Sequence, residues 1–208
     1  MKLQVAIDLL SLEKAMNLLK DVAPYIDVIE AGTPLIKQEG LKVVEAFKQQ
    51  YPDKLVFADM KTMDAGELEA EMAFKAGADF VTVLAVANDA TIKGAIAAAK
   101  KYGKSVTADT VGVNDLEKRA SQLEQMGVNF IEVHYGLDQQ AQEAASWTIL
   151  QKIKDEVRVP FAVAGGINVD TIEQIEASGA AIAAFGGAIY NASSPGDAAR
   201  QIRAKLKS

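Results

Sequence analysis

The sequence contains no cysteine, one histidine and one tryptophan in 208 residues. Without thiols there is no disulfide framework and no thiolate metal site, a pattern expected of a cytoplasmic protein. Net charge is −6 and no Lys/Arg-rich stripe is present. Nucleic acid and anionic membrane surfaces are therefore not expected partners, because both select clustered positive charge. No apolar run is long enough to span a bilayer. The opening Met1-Lys2-Leu3-Gln4 runs into a strand pattern with an acid at Asp8, unlike the zones of a secretion signal.

What is there is a regular alternation. Short apolar runs read as strands at Leu3–Ile7, Val28–Ile29, Leu55–Ala58, Phe80–Leu84, Ser105–Ala108, Phe130–Val133, Phe161–Ala164 and Ile182–Phe185. Between them, apolar residues recur at three- and four-residue spacing, the mark of amphipathic helices. Leu12, Ala15, Met16, Leu19 and Val22 form one such face, and Leu41, Val44 and Phe47 a second. Leu116, Ala120, Leu123 and Met126 form a third, with Asn114 or Asp115 as its cap, and Trp147, Leu150 and Ile153 a fourth. Gly77, Gly127 and Gly179 stand where helices should end. Eight strand–helix units of about 26 residues predict an α/β fold, a single-domain (β/α)8 TIM barrel over residues 1–208. An open doubly wound sheet is the alternative, although such sheets more often have five or six strands. The strands read as continuous apolar runs, as parallel strands covered on both faces do. The last is alanine-rich, which predicts small core residues or, alternatively, an altered surface.

The polar residues gather at strand carboxyl ends. Leu55-Val56-Phe57-Ala58 is followed by Asp59, Lys61 and Asp64; Asp8, Glu30, Asp109 and His134 follow the first, second, fifth and sixth strands. In a barrel these ends form one mouth, where active sites are built. Charge at the end of a buried strand is costly unless it pairs or binds something. Asp8 and Asp109 have a second reading as caps, and Lys61 as a structural ion pair. His134 carries the side chain best suited to a general acid or base, while Lys61 suits a developing negative charge on a substrate oxygen.

Two glycine pairs, Gly165-Gly166 and Gly186-Gly187, follow the seventh and eighth strands. Barrels commonly bind phosphate there through backbone N–H groups. Tight turns alone are the other reading. Glu30 and Asp59, on adjacent strands, offer hard oxygen ligands suited to Mg²⁺.

The Asp59-x-Lys61-x-x-Asp64 pattern, with Val5-Ala6-Ile7-Asp8, Asp27-Val28-Ile29-Glu30-Ala31-Gly32-Thr33-Pro34, Gly77-Ala78-Asp79-Phe80 and Ala164-Gly165-Gly166-Ile167, resembles the orotidine 5′-monophosphate decarboxylase suprafamily along nearly the whole chain. Within it the likeness is to the hexulose-phosphate synthase and keto-gulonate-phosphate decarboxylase families. The decarboxylases carry an Arg shortly after the histidine and tend to have another at the last phosphate loop. Here His134-Tyr135-Gly136-Leu137-Asp138 and Gly187 stand instead. Thr62-Met63 is likewise nearer to the synthases. The resemblance to synthases implies a Mg²⁺-dependent aldol condensation of ribulose 5-phosphate with formaldehyde through a cis-enediolate. It implies Glu30 and Asp59 as metal ligands, His134 as the base at C1, and Lys61 at the enediolate oxygen. Asp8 and Asp109 would hold hydroxyls or Lys61. It also implies a homodimer in which Asp64 reaches into the partner's site. The alternatives are decarboxylation of 3-keto-L-gulonate 6-phosphate and a barrel that serves mainly as an assembly scaffold.

Overall fold

The structure, a computed structural model, describes residues 1–141 and 147–206. Eight parallel strands close on themselves: β1 (Lys2–Ile7), β2 (Val28–Ala31), β3 (Leu55–Thr62), β4 (Phe80–Leu84), β5 (Ser105–Asp109), β6 (Phe130–His134), β7 (Phe161–Ala164) and β8 (Ile182–Phe185). β1 joins β2 with Ala6 opposite Glu30 and closes the ring on β8 with Val5 opposite Phe185.

Four strands run further than their apolar residues suggest. Glu30, Asp59, Lys61, Asp109 and His134 are strand residues rather than residues after strands. The cause is the neighbour in the ladder: Glu30 is held by pairing to Ala6 and Phe57, and Asp109 by pairing to Leu84 and Glu132. Asp8 and the two glycine pairs do follow their strands.

The strands also alternate, which their composition conceals. Successive side chains point to opposite faces. Leu3, Val5, Ile7, Ile29, Val56, Val81, Val106 and Ile131 join the large core with the helices. Val28, Phe57 and Phe80 make a separate cluster with Leu55 and Phe130, the floor of the barrel interior. Two positions further along the same inner face stand Glu30, Asp59, Thr82 and Glu132. The inner face thus turns from apolar to polar along β2, β3, β4 and β6 while their outer face stays apolar. The alanines of β8 are buried core residues, as the simpler expectation had it.

The four helical faces expected from spacing are present. Leu12–Val22 is capped by Ser11, which accepts from the Lys14 N–H, and Leu116–Met126 by Asp115, which accepts from the Lys118 N–H. Lys42–Gln50 and Ile149–Glu156 are the others, with Trp147 buried just before the last. The turn glycines Gly77, Gly127 and Gly179 all have positive φ, at 100°, 90° and 87°. A helix over Thr33–Glu39, opened by Pro34 in its first turn, joins β2 to Lys42–Gln50. Among the described residues no helix is long and apolar enough to cross a membrane.

At the amino ends, strands are clasped in pairs. Asp27 Oδ2 accepts from the Leu3 N–H at 2.8 Å, Asp79 Oδ2 from the Val56 N–H at 2.9 Å, and Asn129 Oδ1 from the Val106 N–H at 2.8 Å. Each of the three returns its own backbone N–H to the carbonyl of the same strand residue. In the last pair Ala181 keeps the backbone bond to Phe161 but has no side-chain acceptor to offer.

Candidate active site

A cavity of about 940 Å³ opens at the carboxyl ends of the strands. Its wall includes Asp8, Glu30, Asp59, Lys61, His134, Gly165, Gly166, Gly186 and Gly187, nine of the residues singled out from the sequence. Asp109 lies just behind the wall, fully buried, and Asp64 is exposed and outside this cavity.

Lys61 is the hub. Its ammonium donates to Asp59 Oδ2 and to Asp109 Oδ2, each at 2.8 Å. His134 Nδ1 lies 2.8 Å from that same Asp109 oxygen. Burial works against charge on Lys61, but Asp59 and Asp109 outweigh it and hold the ammonium well above the ordinary lysine range. Burial likewise penalises ionised Asp109, yet His134 and Lys61 overcome this and lower its pKa to about 2. Lys61 has φ of 45° where the register of β3 against β4 shifts, a conformation a side chain adopts only when its surroundings enforce it. Thr82 does so. Its hydroxyl oxygen accepts the Lys61 backbone N–H at 2.9 Å and donates to Asp59 Oδ1 at 2.8 Å. Thr33 donates to the other Asp59 oxygen at 2.6 Å.

Acids outnumber bases here. Burial, then Asp59 and Asp8, push Glu30 well above the usual carboxylate range. Burial, then Asp109 and Glu30, do the same to Glu132, and burial and Asp59 raise Asp8. Five carboxyl groups face one ammonium and one imidazole, a donor set that fits a divalent cation. Ligand atoms of Asp109, Glu132 and His134 lie within 4.8 Å of one another and could hold a metal ion. Asp109 already accepts from Lys61 and from the Val111 N–H and lies beside His134, and Asp59 accepts from Thr33, Thr82 and Lys61, so either carboxylate would serve a cation with a lone pair these donors leave.

The first glycine pair shapes the rim. Gly165 has φ of 89°, and a Cβ there would overlap the Tyr135 carbonyl oxygen. Beside the second pair, Tyr190 and Asn191 line the cavity, the Asn191 amide folded over Gly187.

Glu132, Gln4, Thr33, Thr82, Tyr190 and Asn191 were not legible as site residues. For Glu132 a signal existed: it stands two residues before His134, so both share the inner face of β6. Gln4, two residues before Ala6 and four before Asp8, carried the same mark.

Residues 1–202 match the model of the Orotidine 5′-phosphate decarboxylase / HUMPS family. A 3-hexulose-6-phosphate synthase of Mycobacterium gastri is 53% identical over 206 residues, covering 99% of this chain and 100% of that protein. A solved 3-hexulose-6-phosphate synthase superposes with a TM-score of 0.96 at 54% identity, both chains fully covered. The 3-keto-L-gulonate-6-phosphate decarboxylase of Vibrio cholerae superposes with a TM-score of 0.87 at 28% identity, covering 98% of this chain and 96% of that one.

Proposed function

The chain belongs to the Orotidine 5′-phosphate decarboxylase / HUMPS family, and from that premise we propose that it condenses D-ribulose 5-phosphate with formaldehyde to D-arabino-3-hexulose 6-phosphate, reversibly. The observation that carries this reading is 53% identity to a synthase over the full length, against 28% to a decarboxylase of the same fold.

The side chains suit the chemistry. With Nδ1 turned to Asp109, Nε2 is the His134 nitrogen available to take a proton. His134 removes the proton from C1 of the sugar, and Lys61 stabilises the negative charge that develops on the adjacent oxygen. The electron pair at C1 then forms a bond to the formaldehyde carbon. The resulting alkoxide takes its proton from His134, which restores the base. Asp8 orients a sugar hydroxyl. Glu30 and Asp59 are the residues to hold Mg²⁺, which when bound supplies Lewis-acid polarisation of the sugar oxygens. Backbone N–H groups of Gly165, Gly166, Gly186 and Gly187 bind the phosphate, helped by the Asn191 amide. No arginine lines the cavity among the described residues, so the phosphate end depends on neutral donors.

The reading includes a cytoplasmic homodimer. Met63, Leu68 and Met72 are 54%, 63% and 48% exposed around Asp64, and Leu68 and Met72 share one helical face. Such an apolar surface supports a partner subunit there, with Asp64 delivered to the partner's cavity. Sedimentation of the purified protein should give twice the chain mass.

The decisive assay supplies purified protein with Mg²⁺, ribulose 5-phosphate and formaldehyde. Formaldehyde should be consumed. Release of CO₂ from 3-keto-L-gulonate 6-phosphate without formaldehyde uptake would reverse the assignment.

A further inference from the structure

We propose that Gln4 is a positioning residue that fixes Glu30 for a divalent cation, an inference that rests on reading Glu30 and Asp59 as the cation site. Gln4 sits on β1 with 1% of its surface exposed. It lies on the inner face, below Ala6 and Asp8. Its Nε2 donates to Glu30 Oε2 at 2.7 Å. Its own Oε1 is buried and has no hydrogen-bond donor among the described residues.

That orphaned oxygen is the informative atom. A buried acceptor without a partner destabilises a fold, and each instance in a native protein calls for an explanation. An apolar side chain of similar length would avoid the cost and fill the same space. Among the described residues the amide's one side-chain hydrogen bond goes to Glu30, so its role lies there. With Oε2 engaged, the plane of the carboxylate is fixed and Oε1 of Glu30 is the oxygen left to a ligand. The choice of a neutral donor is equally specific. A lysine at this position would orient Glu30 too, but its charge would take the place of the cation. Glutamine orients the carboxylate and leaves the negative charge of the site undiminished. Residues that hydrogen-bond a metal-binding carboxylate commonly set metal affinity by ten- to a hundredfold.

Mn²⁺ binding, titrated by electron paramagnetic resonance without sugar, tests this apart from turnover. The wild-type protein should bind Mn²⁺. Gln4→Met should weaken binding by about ten- to a hundredfold, while its melting temperature in EDTA stays within a few degrees of wild type, because one hydrogen bond is lost and one orphaned acceptor removed. Gln4→Leu also lacks the donor and should weaken Mn²⁺ binding to the same extent, which decides the matter should the methionine variant not fold. Wild-type affinity in either folded variant overturns the role of Gln4. Failure of the wild-type protein itself to bind Mn²⁺ overturns the cation reading and this inference with it.

Discussion

Lys61 and His134 share one oxygen atom: both approach Asp109 Oδ2 at 2.8 Å. The electrostatic partner of the ammonium is thus also the group that sets the imidazole's tautomer. Moving a proton on or off His134 changes how strongly Asp109 holds Lys61.

Asp109→Asn should therefore damage two functions at once. The amide carries no charge for Lys61 and presents the wrong group to Nδ1. By analogy with loss of the orienting aspartate in other histidine-based sites, turnover should fall by roughly three to four orders of magnitude. Apparent sugar-phosphate affinity should change little. Steady-state kinetics decide this, and a drop in turnover below tenfold would remove Asp109 from the mechanism.

Acid should unfold the protein through the same residue. The folded pKa of Asp109 is about 2, below its ordinary 3.8. A carboxyl depressed in the folded state contributes stability above its unfolded pKa and loses it as pH falls through the folded one. Part of the stability should thus disappear between about pH 4 and pH 2, and Asp109→Asn should show a smaller decline over that window. Urea unfolding at successive pH values measures it; parallel curves for the two proteins would contradict the assignment.

Thr82→Val keeps the shape and removes the hydroxyl that joins the Lys61 backbone to Asp59. Two buried polar groups lose their partner, so stability should fall by about 1–3 kcal/mol. Turnover should fall as well, because the hydroxyl no longer holds the Lys61 backbone at its positive φ. Thr82→Ser restores the hydroxyl and should recover much of both. Equal activity in Thr82→Val and wild type would show that Lys61 keeps its place unaided.

Ala181→Asp supplies the acceptor that Asp27, Asp79 and Asn129 provide in the other three strand pairs. A gain of about 0.5–1.5 kcal/mol is expected, or about 1–6 °C in melting temperature for a chain of this size. A lower melting temperature would mean that the fourth pair is built differently at its floor.

Much of the barrel was legible because its period is regular: eight apolar runs, helical spacing between them, and glycine at helix ends. The charged rim was legible because Asp59, Lys61 and His134 interrupt apolar strands. Its depth was not. Glu132 looks like a defect in a continuous apolar run, and Glu30 like a residue beyond its strand, until alternate residues are assigned to opposite faces, and only then do they form one inner layer. Thr82 and Thr33 are ordinary in strand and loop sequences, and their importance comes from partners 23 and 26 residues away. The extra length of β2, β3, β5 and β6 was hidden because it depends on neighbouring strands and not on the strand's own residues.

The clasps at the amino ends have a consequence for assembly of the ring. A one-residue slip between β1 and β2, β3 and β4, or β5 and β6 would break a main-chain and a side-chain bond together, and would turn every side chain to the wrong face. Three junctions therefore carry a built-in gauge of alignment. The corresponding junction of β7 with β8 keeps only the main-chain half of that gauge, and it is the junction whose glycine turns border the mouth: alignment there is left to the backbone that also faces a guest.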